Sequence, residues 1–342
     1  FKLEKDRELA KEFVEKRYEI FTRVEHYEFH KIDEAIEFLK QNEDKLFIVK
    51  GFHPDAPTIV PISNEPKENH LELIFDLKEN QKIYESMGFI LEEKIVDLLE
   101  FTPEAIIYNK KVLGFNVDIE LKPIGPANTG YQTGCSADCV MWLDLSSILY
   151  DLFIKPAEDY AFRKNQLVIW DASVLYSPSK NAFYFGEFCS ARWGFNAIFT
   201  ELSTLPSVGY YFEKIIREEP IFSPDVKPIG TSVRLFSLRS KKEEEWKPIP
   251  IFADINDKNV WLWDVQKKNE MLITADYDMN IAVLTNSGYD WKESFKELFS
   301  QLKNKIKFAE MYYRSLADIL DDSYTNNLTK RIEFVKILNK IE

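Results

Sequence analysis

Two acidic residues between positions 167 and 189 carry the most concentrated chemistry in this chain. The segments LVIWDASVLY (167–176) and AFYFGEFC (182–189) read as β-strands, and the Ser177-Pro178-Ser179-Lys180-Asn181 connection favours a tight antiparallel reversal. A turn centred on Ser179 sets Asp171 opposite Glu187. Like charges directly opposite one another destabilise a sheet, so a pair flanked by Trp170, Phe185 and Phe188 is easier to understand with a cation between them. Hard oxygen donors favour Mg²⁺, which commonly bridges carboxylates to phosphate oxygens. A register shifted by one residue gives the alternative, in which both acids reach solvent from an exposed face. Lys50 ends the buried run LFIVK, and taken singly Lys50, Lys122 and Arg192 each fit an ordinary strand-end, turn or surface residue.

The elements that must position these groups follow from periodicity. Leu9, Phe13, Val14 and Tyr18 share one face of a helix over 5–18, and Ile32, Ala35, Ile36 and Leu39 predict a second over 33–42 capped by Asp33. Four prolines make 53–70 a long loop or irregular hairpin, in which His53 reads as a solvated residue. Beyond it the pattern predicts a strand at 72–76, a helix near 79–86 and a strand at 88–91. Strands at 104–109 and 112–120 are joined by a hairpin signal at Asn109-Lys110-Lys111. Gly125 to Gly134 is the most glycine-dense part of a chain with 11 glycines, which marks a loop that turns sharply or approaches something closely. Helices are expected at 144–153 and after Gly194. Beyond Pro220 come short strands at 231–238, 248–253, 259–264, 270–274 and 279–285, a helix at 291–306, and a terminal helix with Ile332, Val335 and Leu338 on one stripe.

Composition limits the function classes. The 342 residues, 45% apolar and 14% aromatic, can build two or three lobes with real cores. Lys and Arg number 44 against 57 Asp and Glu, a net charge of −13 that excludes the broad basic surface of a sequence-independent nucleic-acid binder. An acidic protein that binds ATP must do so through a local cluster of cations and metal. No apolar run approaches the roughly 20 residues that span a bilayer, and the expected location is the cytoplasm. Cys135, Cys139 and Cys189 form neither a disulfide framework nor a zinc site. The chain opens on Phe1 and directly upon a helix, so a preceding segment is expected.

Several of these segments together resemble the ATP-grasp superfamily, and within it phosphoribosylamine-glycine ligase and its divergent relatives, over nearly the whole chain. The opening helix with FTRVEHYEF and DEAIEFLKQ is similar to the family's entry into its small lobe. Lys50 in FIVK matches a lysine that reaches the nucleotide phosphates, and FILEEKI matches the hinge around adenine through Glu92, Glu93, Lys94 and Ile95, with Asp97 a candidate for the ribose. DIELKPIGPANTG resembles a basic residue followed by Gly-Pro-Asn-Thr-Gly, here interrupted by Ala127, with Lys122 as the basic residue. GEFCSARWG resembles the strand whose Glu187 and a following polar residue, Ser190 or Cys189, hold Mg²⁺, with Arg192 facing the transferred phosphate; Asp171 stands where the ligase proper usually has no acid, although other ATP-grasp enzymes carry one there. Arg314, Asp318 and Ile319 match the family's C-terminal ending.

The resemblance implies an α+β, two-lobed ATP-grasp fold: a small lobe over 1–85, a large lobe over 86–219, a small C-terminal α+β domain over 220–320 and a terminal helix over 321–342. It implies ATP and Mg²⁺ as cofactors and a ligase that joins a small-molecule carboxylate to an amine through an acyl phosphate. No nucleic acid or membrane partner is expected, and a homo-oligomer or the missing N-terminal segment could complete the molecule. Three departures stand out. Only Gly51 follows Lys50 where a glycine-rich loop belongs, one extra residue separates Glu187 from Arg192, and the ligase's N-terminal domain is absent from this sequence. They support two rival readings, a scaffold that has lost phosphate transfer and a kinase that stops at the phosphorylated product.

Overall fold

The computed structural model describes residues 2–52, 58–130, 132–189, 196–237, 247–275 and 280–340. His53, Ser190 and Arg192 lie outside these. Contacts divide the chain into two units, residues 1–98 with 175–185, and residues 99–174 with 186–342.

The first unit opens with α1 (Lys2–Lys5) and α2 (Arg7–Arg17), the latter capped by the Asp6 carboxylate on the Leu9 amide. Strands β1 (His26–Phe29), β2 (Phe47–Gly51) and β3 (Phe89–Glu93) form an antiparallel sheet in the order β1-β3-β2, with α3 (Ile32–Gln41) between the first two. Between β2 and β3 the chain forms α4 (Pro66–Glu79) and α5 (Gln81–Met87). The strand expected at 72–76 is therefore part of a helix, and the loop expected to run to His70 stops at Glu65. Pro66 at the first helical position starts α4, since its missing N–H costs nothing there. Leu73 and Leu77 then pack into the core with Leu39, Phe47, Tyr84 and Phe89. Within the apolar run that suggested a strand, Leu73 faces the core while Leu71 and Phe75 are exposed. Gly88 closes α5 at φ +80, where a Cβ would come within 2.5 Å of the Phe52 ring.

The second unit is built on a nine-stranded sheet. Its strands are β4 (Leu99–Tyr108), β5 (Lys111–Pro123), β6 (Gln132–Trp142), β7 (Leu167–Ser177), β8 (Ala182–Phe188), β9 (Ile229–Ser237), β11 (Val260–Leu262) and β14 (Asn280–Gly288), with β16 (Met311–Tyr312) paired to β9. The order is β11-β14-β9-β6-β5-β4-β7-β8. A smaller sheet, β12-β13-β10-β15, contains β10 (Pro250–Ala253), β12 (Val265–Lys268), β13 (Met271–Thr274) and β15 (Ile306–Phe308). Asn109 and Lys110, both at positive φ, make the two-residue β4–β5 turn. The tip of the β7–β8 hairpin, 175–185, belongs to the first unit.

Two features depart from expectation. Strand β6 and the helix α9 (Val208–Ile216) had no counterpart in the sequence reading. Strands β9 and β14, expected in a separate domain over 220–320, extend the sheet that carries β4 to β7. Helix α8 (Ala197–Thr204) lies close against β9 at Gly230, where a Cβ would come 2.5 Å from the Thr200 carbonyl oxygen. The remaining helices are α6 (Ile148–Phe153), α7 (Glu158–Ala161), α10 (Trp291–Lys305), α11 (Leu316–Ile319) and α12 (Leu328–Asn339). Helix α10 buries Trp291, Phe295, Leu298 and Leu302, one helical face, and Asp290 caps it. Among the described residues no helix is long and apolar enough to cross a membrane.

Candidate functional site

In the first unit, strand alternation sorts the candidate nucleotide residues. Phe47 and Val49 point into the core, which leaves Ile48 and Lys50 on the opposite face with Glu92 of β3. The Lys50 ammonium donates to one oxygen of Glu92, and the other oxygen lies 4.0 Å from the Lys11 ammonium. Glu93 and Ile95 line a cavity of about 440 Å³ with Lys180, Tyr184 and the segment Thr22 to Glu25. Glu93 and Lys180 are ion-paired across it at 2.7 Å. Two other candidates are engaged in holding loops. Lys94 donates to the carbonyls of Pro61 (2.6 Å) and Ser63 (3.0 Å). Asp97 accepts from the Ser177 hydroxyl (2.6 Å) and the Ser179 amide (2.7 Å), bonds that outweigh burial and keep its carboxyl below the ordinary range.

In the second unit the site is one polar face of the large sheet. Glu104 pairs across with Asn116, and Thr102 with Asp118. Glu120 pairs with Asp138, and Asp138 with Ser232. Period-two alternation therefore gathers Glu100, Glu104, Asn116, Asp118, Glu120, Lys122, Asp138, Ser232 and Arg234 on one side. Helix α8 covers part of it. Thr200 and Ser232 both donate to Asp138 (2.6 and 2.7 Å), Asn116 bridges Glu104 (3.1 Å) and Glu201 (3.2 Å), and Asn196 accepts from Arg234 at 2.9 Å. Lys122 donates to Glu100 at 2.6 Å, and the Ser173 hydroxyl donates to the same oxygen at 2.9 Å.

Carboxylates outnumber cations on this face, and burial makes the excess costly. Burial first, then Asp138, Glu120, Glu104 and Asp171, push Asp118 well above the usual carboxylate range. Burial, opposed by Lys122, lifts Glu120 to about 7, and burial, opposed by the Thr200 and Ser232 hydroxyls, lifts Asp138 to about 6. Burial also works against the charge on Lys122, but Glu100 and Glu120 outweigh it and hold that ammonium above its ordinary value. Acids with raised values bind more protons folded than unfolded, so their contribution to stability is full below about pH 4 and fades as pH climbs through 6 to 7. Glu100, held below its ordinary value by Lys122 against burial, acts the other way only under about pH 4.5. In metal-free buffer the melting temperature should thus fall between pH 5.5 and pH 8, by at least about 3 °C. Thermal scans should show Glu120→Gln flattening that slope, and a flat wild-type profile would contradict the assignment.

Asp171 and Glu187 are not directly opposite. Gly186 lies against Ser173, where its Cβ would meet the serine Oγ at 2.8 Å, and the Cys189 amide donates to the Asp171 carbonyl at 3.3 Å. Two steps along β7 thus match three along β8, so β8 carries an extra residue around Glu187 and Phe188, the signature of a β-bulge. This corrects the register drawn from a turn centred on Ser179. Glu187 is exposed while Asp171 is buried, and what links the two is electrostatic influence rather than a contact. Asp171, only 6% exposed, has its carboxyl raised by burial, by Glu104 and Glu120 and also by Glu187, while Lys122 opposes. Glu187 in turn adds to the forces that keep Lys122 charged.

Hard oxygen donors with surplus negative charge fit a divalent cation. Among the described residues no group of three or more His, Cys, Asp or Glu is placed to hold a metal ion. Mg²⁺ is commonly held by one or two carboxylates with phosphate and water oxygens filling the rest, and Asp171 and Glu187 would be the candidates. Glu100, Glu120 and Asp118 escaped the sequence reading as site residues; the available signal was the alternation of acids in LEFTPE and DIELK, which marks one polar strand face.

No family model matches the sequence, and no curated protein matches it. Solved structures do match. Phosphoribosylamine-glycine ligase from Thermotoga maritima aligns over 91% of this chain and 78% of its own, with TM-score 0.65 and 16% identity. The biotin carboxylase domain of Hydrogenobacter thermophilus 2-oxoglutarate carboxylase, solved with MgADP, ADP and bicarbonate, aligns over 98% and 74%, with TM-score 0.58 and 14% identity. Biotin carboxylase from Campylobacter jejuni aligns over 91% and 68%, with TM-score 0.55 and 12% identity. Identities this low establish architecture and nothing finer, and that architecture is α+β: the chain has the ATP-grasp fold.

Proposed function

We propose that the protein is an ATP-dependent ligase that activates a small carboxylate as an acyl phosphate and joins it to an amine. The observation that carries this reading is the gathering of Lys122, Asp171 and Glu187 into one electrostatic neighbourhood on the acid-rich face of an ATP-grasp sheet. Bound Mg²⁺ would supply neutralisation of phosphate charge at Asp171 and Glu187. Lys122, kept protonated by Glu100 and Glu120, offers a fixed positive charge to a phosphate oxygen. In the first unit, Lys50 offers a second such charge once a phosphate displaces Glu92 from it, and Glu93 and Ile95 border a cavity that suits a nucleotide base. Ser190 and Arg192 keep the roles suggested by resemblance, metal holding and stabilisation of the transferred group.

A second reading, a nucleotide-binding scaffold without turnover, has a specific observation in its favour: Lys50 is already paired with Glu92 and is followed by Gly51 alone. Incubation with ATP, Mg²⁺ and a panel of small acids and amines separates the readings. ADP, phosphate and a new amide support the ligase. ADP with a stable phosphorylated product supports a kinase, and nucleotide binding with no turnover supports the scaffold.

A further inference from the structure

The antiparallel ladder between β4 and β5 runs from Tyr108 opposite Lys111 to Thr102 opposite Asp118. Continued in register past Phe101 and Ile119, it would pair Glu100 with Glu120. In that place stands the guanidinium of Arg331, from α12, only 1% exposed. Its Nη1 donates to the Glu120 carbonyl at 2.7 Å and to the Glu100 carbonyl at 3.3 Å, and its Nε donates to the Asn327 carbonyl at 3.4 Å. The Glu100 amide, which a rung would also have used, donates instead to the Asn326 side chain at 3.4 Å. Both strands are thus tied to the C-terminal segment at this level rather than to each other.

A buried guanidinium is expensive to desolvate, and a plain backbone rung would satisfy the same carbonyls without one. What the substitution changes is the site. Glu100 turns its carboxylate onto the Lys122 ammonium, two residues beyond Glu120 on β5. Around it the end of β5 is fixed from every side, with the Thr133 hydroxyl on the Lys122 carbonyl (2.7 Å), the Ser136 hydroxyl on the Leu121 carbonyl (2.6 Å), and Arg314 on the Pro123 carbonyl (3.3 Å).

We propose that Arg331 is a positioning residue for Lys122: by replacing a ladder rung between Glu100 and Glu120 it sets the Glu100 carboxylate against the Lys122 ammonium, and so fixes where that cation meets a substrate phosphate. The last clause rests on the reading of Lys122 as a phosphate ligand; the positioning itself does not. Two readouts keep them apart. The first is the rate at which acetic anhydride modifies Lys122 in the nucleotide-free protein, followed by mass spectrometry, with exposed Lys110 as internal reference. The reagent attacks only the neutral amine, so loss of the Glu100 contact in Arg331→Gln should speed modification of Lys122 at least about fivefold. Arg331→Lys keeps the charge and most of the packing but not the planar fork, and should behave like Arg331→Gln. The second is MgADP affinity by calorimetry, expected to weaken about tenfold in both variants. Wild-type labelling of Lys122 in either variant would overturn the proposal. Faster labelling in both variants, together with a wild-type protein that binds no MgADP, would uphold the positioning and sink the phosphate role.

Discussion

Replacing Glu187 with Gln is expected to lower ATP-dependent turnover by at least about 100-fold while leaving the protein as stable as the wild type or slightly more so. The two halves of that expectation come from the same electrostatics. Glu187 is exposed, and its charge raises the proton affinity of Asp171 while supporting the charge on Lys122. Gln keeps the shape and removes the charge, which relieves Asp171. On the proposed reading the same change removes one of two hard oxygen donors for Mg²⁺, and an amide oxygen is a weaker ligand than a carboxylate. A structural role predicts the opposite pattern, a lower melting temperature with turnover intact. Turnover within threefold of wild type, in an assay that shows ATP consumption, would remove Glu187 from the site.

Lys122→Met should damage both binding and stability. The Lys122–Glu100 pair is partly shielded, with side-chain exposures of 30% and 20%. Breaking a fully buried pair costs about 3–5 kcal/mol because one charge is left without its partner. Water that reaches this pair reduces the loss, to about 2 kcal/mol. Glu100 would then keep the Ser173 hydroxyl and the field of Arg331 but no direct cation. Its carboxyl should titrate higher, and the variant should lose most stability above pH 6, where that carboxylate is ionised. MgATP affinity should fall at least about tenfold, the loss of one charge-assisted contact to phosphate. Thermal unfolding across pH and calorimetric titration measure the two effects separately. A variant that melts normally at pH 8 would show that the pair carries little of the fold.

The fold was legible in the sequence where apolar pattern and chain order agreed. Lys50 at the end of FIVK, the acids of FILEEKI and the hairpin around Ser177 to Asn181 all lie on the elements expected for them. The helix over 66–79 was misread because the short apolar run Leu71 to Phe75 lies inside it, and a run that short does not distinguish a strand from part of a helix; Leu73 is buried there while Leu71 and Phe75 are exposed. Strand β6 was missed for a related reason. Its inward side chains on the polar face, Ser136 and Asp138, are not apolar, because they bond to the Leu121 and Pro123 carbonyls and to Thr200 and Ser232. A strand with one buried polar face does not show the apolar alternation that marks a half-buried strand. The register at Asp171 lay beyond sequence because a single-residue bulge leaves no mark in composition. Arg331 was not singled out in the sequence; that it stands in for a ladder rung depends on where strands 211 and more residues earlier in the chain come to lie.

The most direct test of the account is a calorimetric titration of the wild-type chain with ATP in the presence and absence of Mg²⁺. Saturable binding at micromolar ATP that depends on Mg²⁺ and is lost in Lys122→Met is the expected result. No binding up to millimolar ATP, or binding equally tight without the metal and in that variant, would contradict the assignment of this acid-rich face to phosphate chemistry.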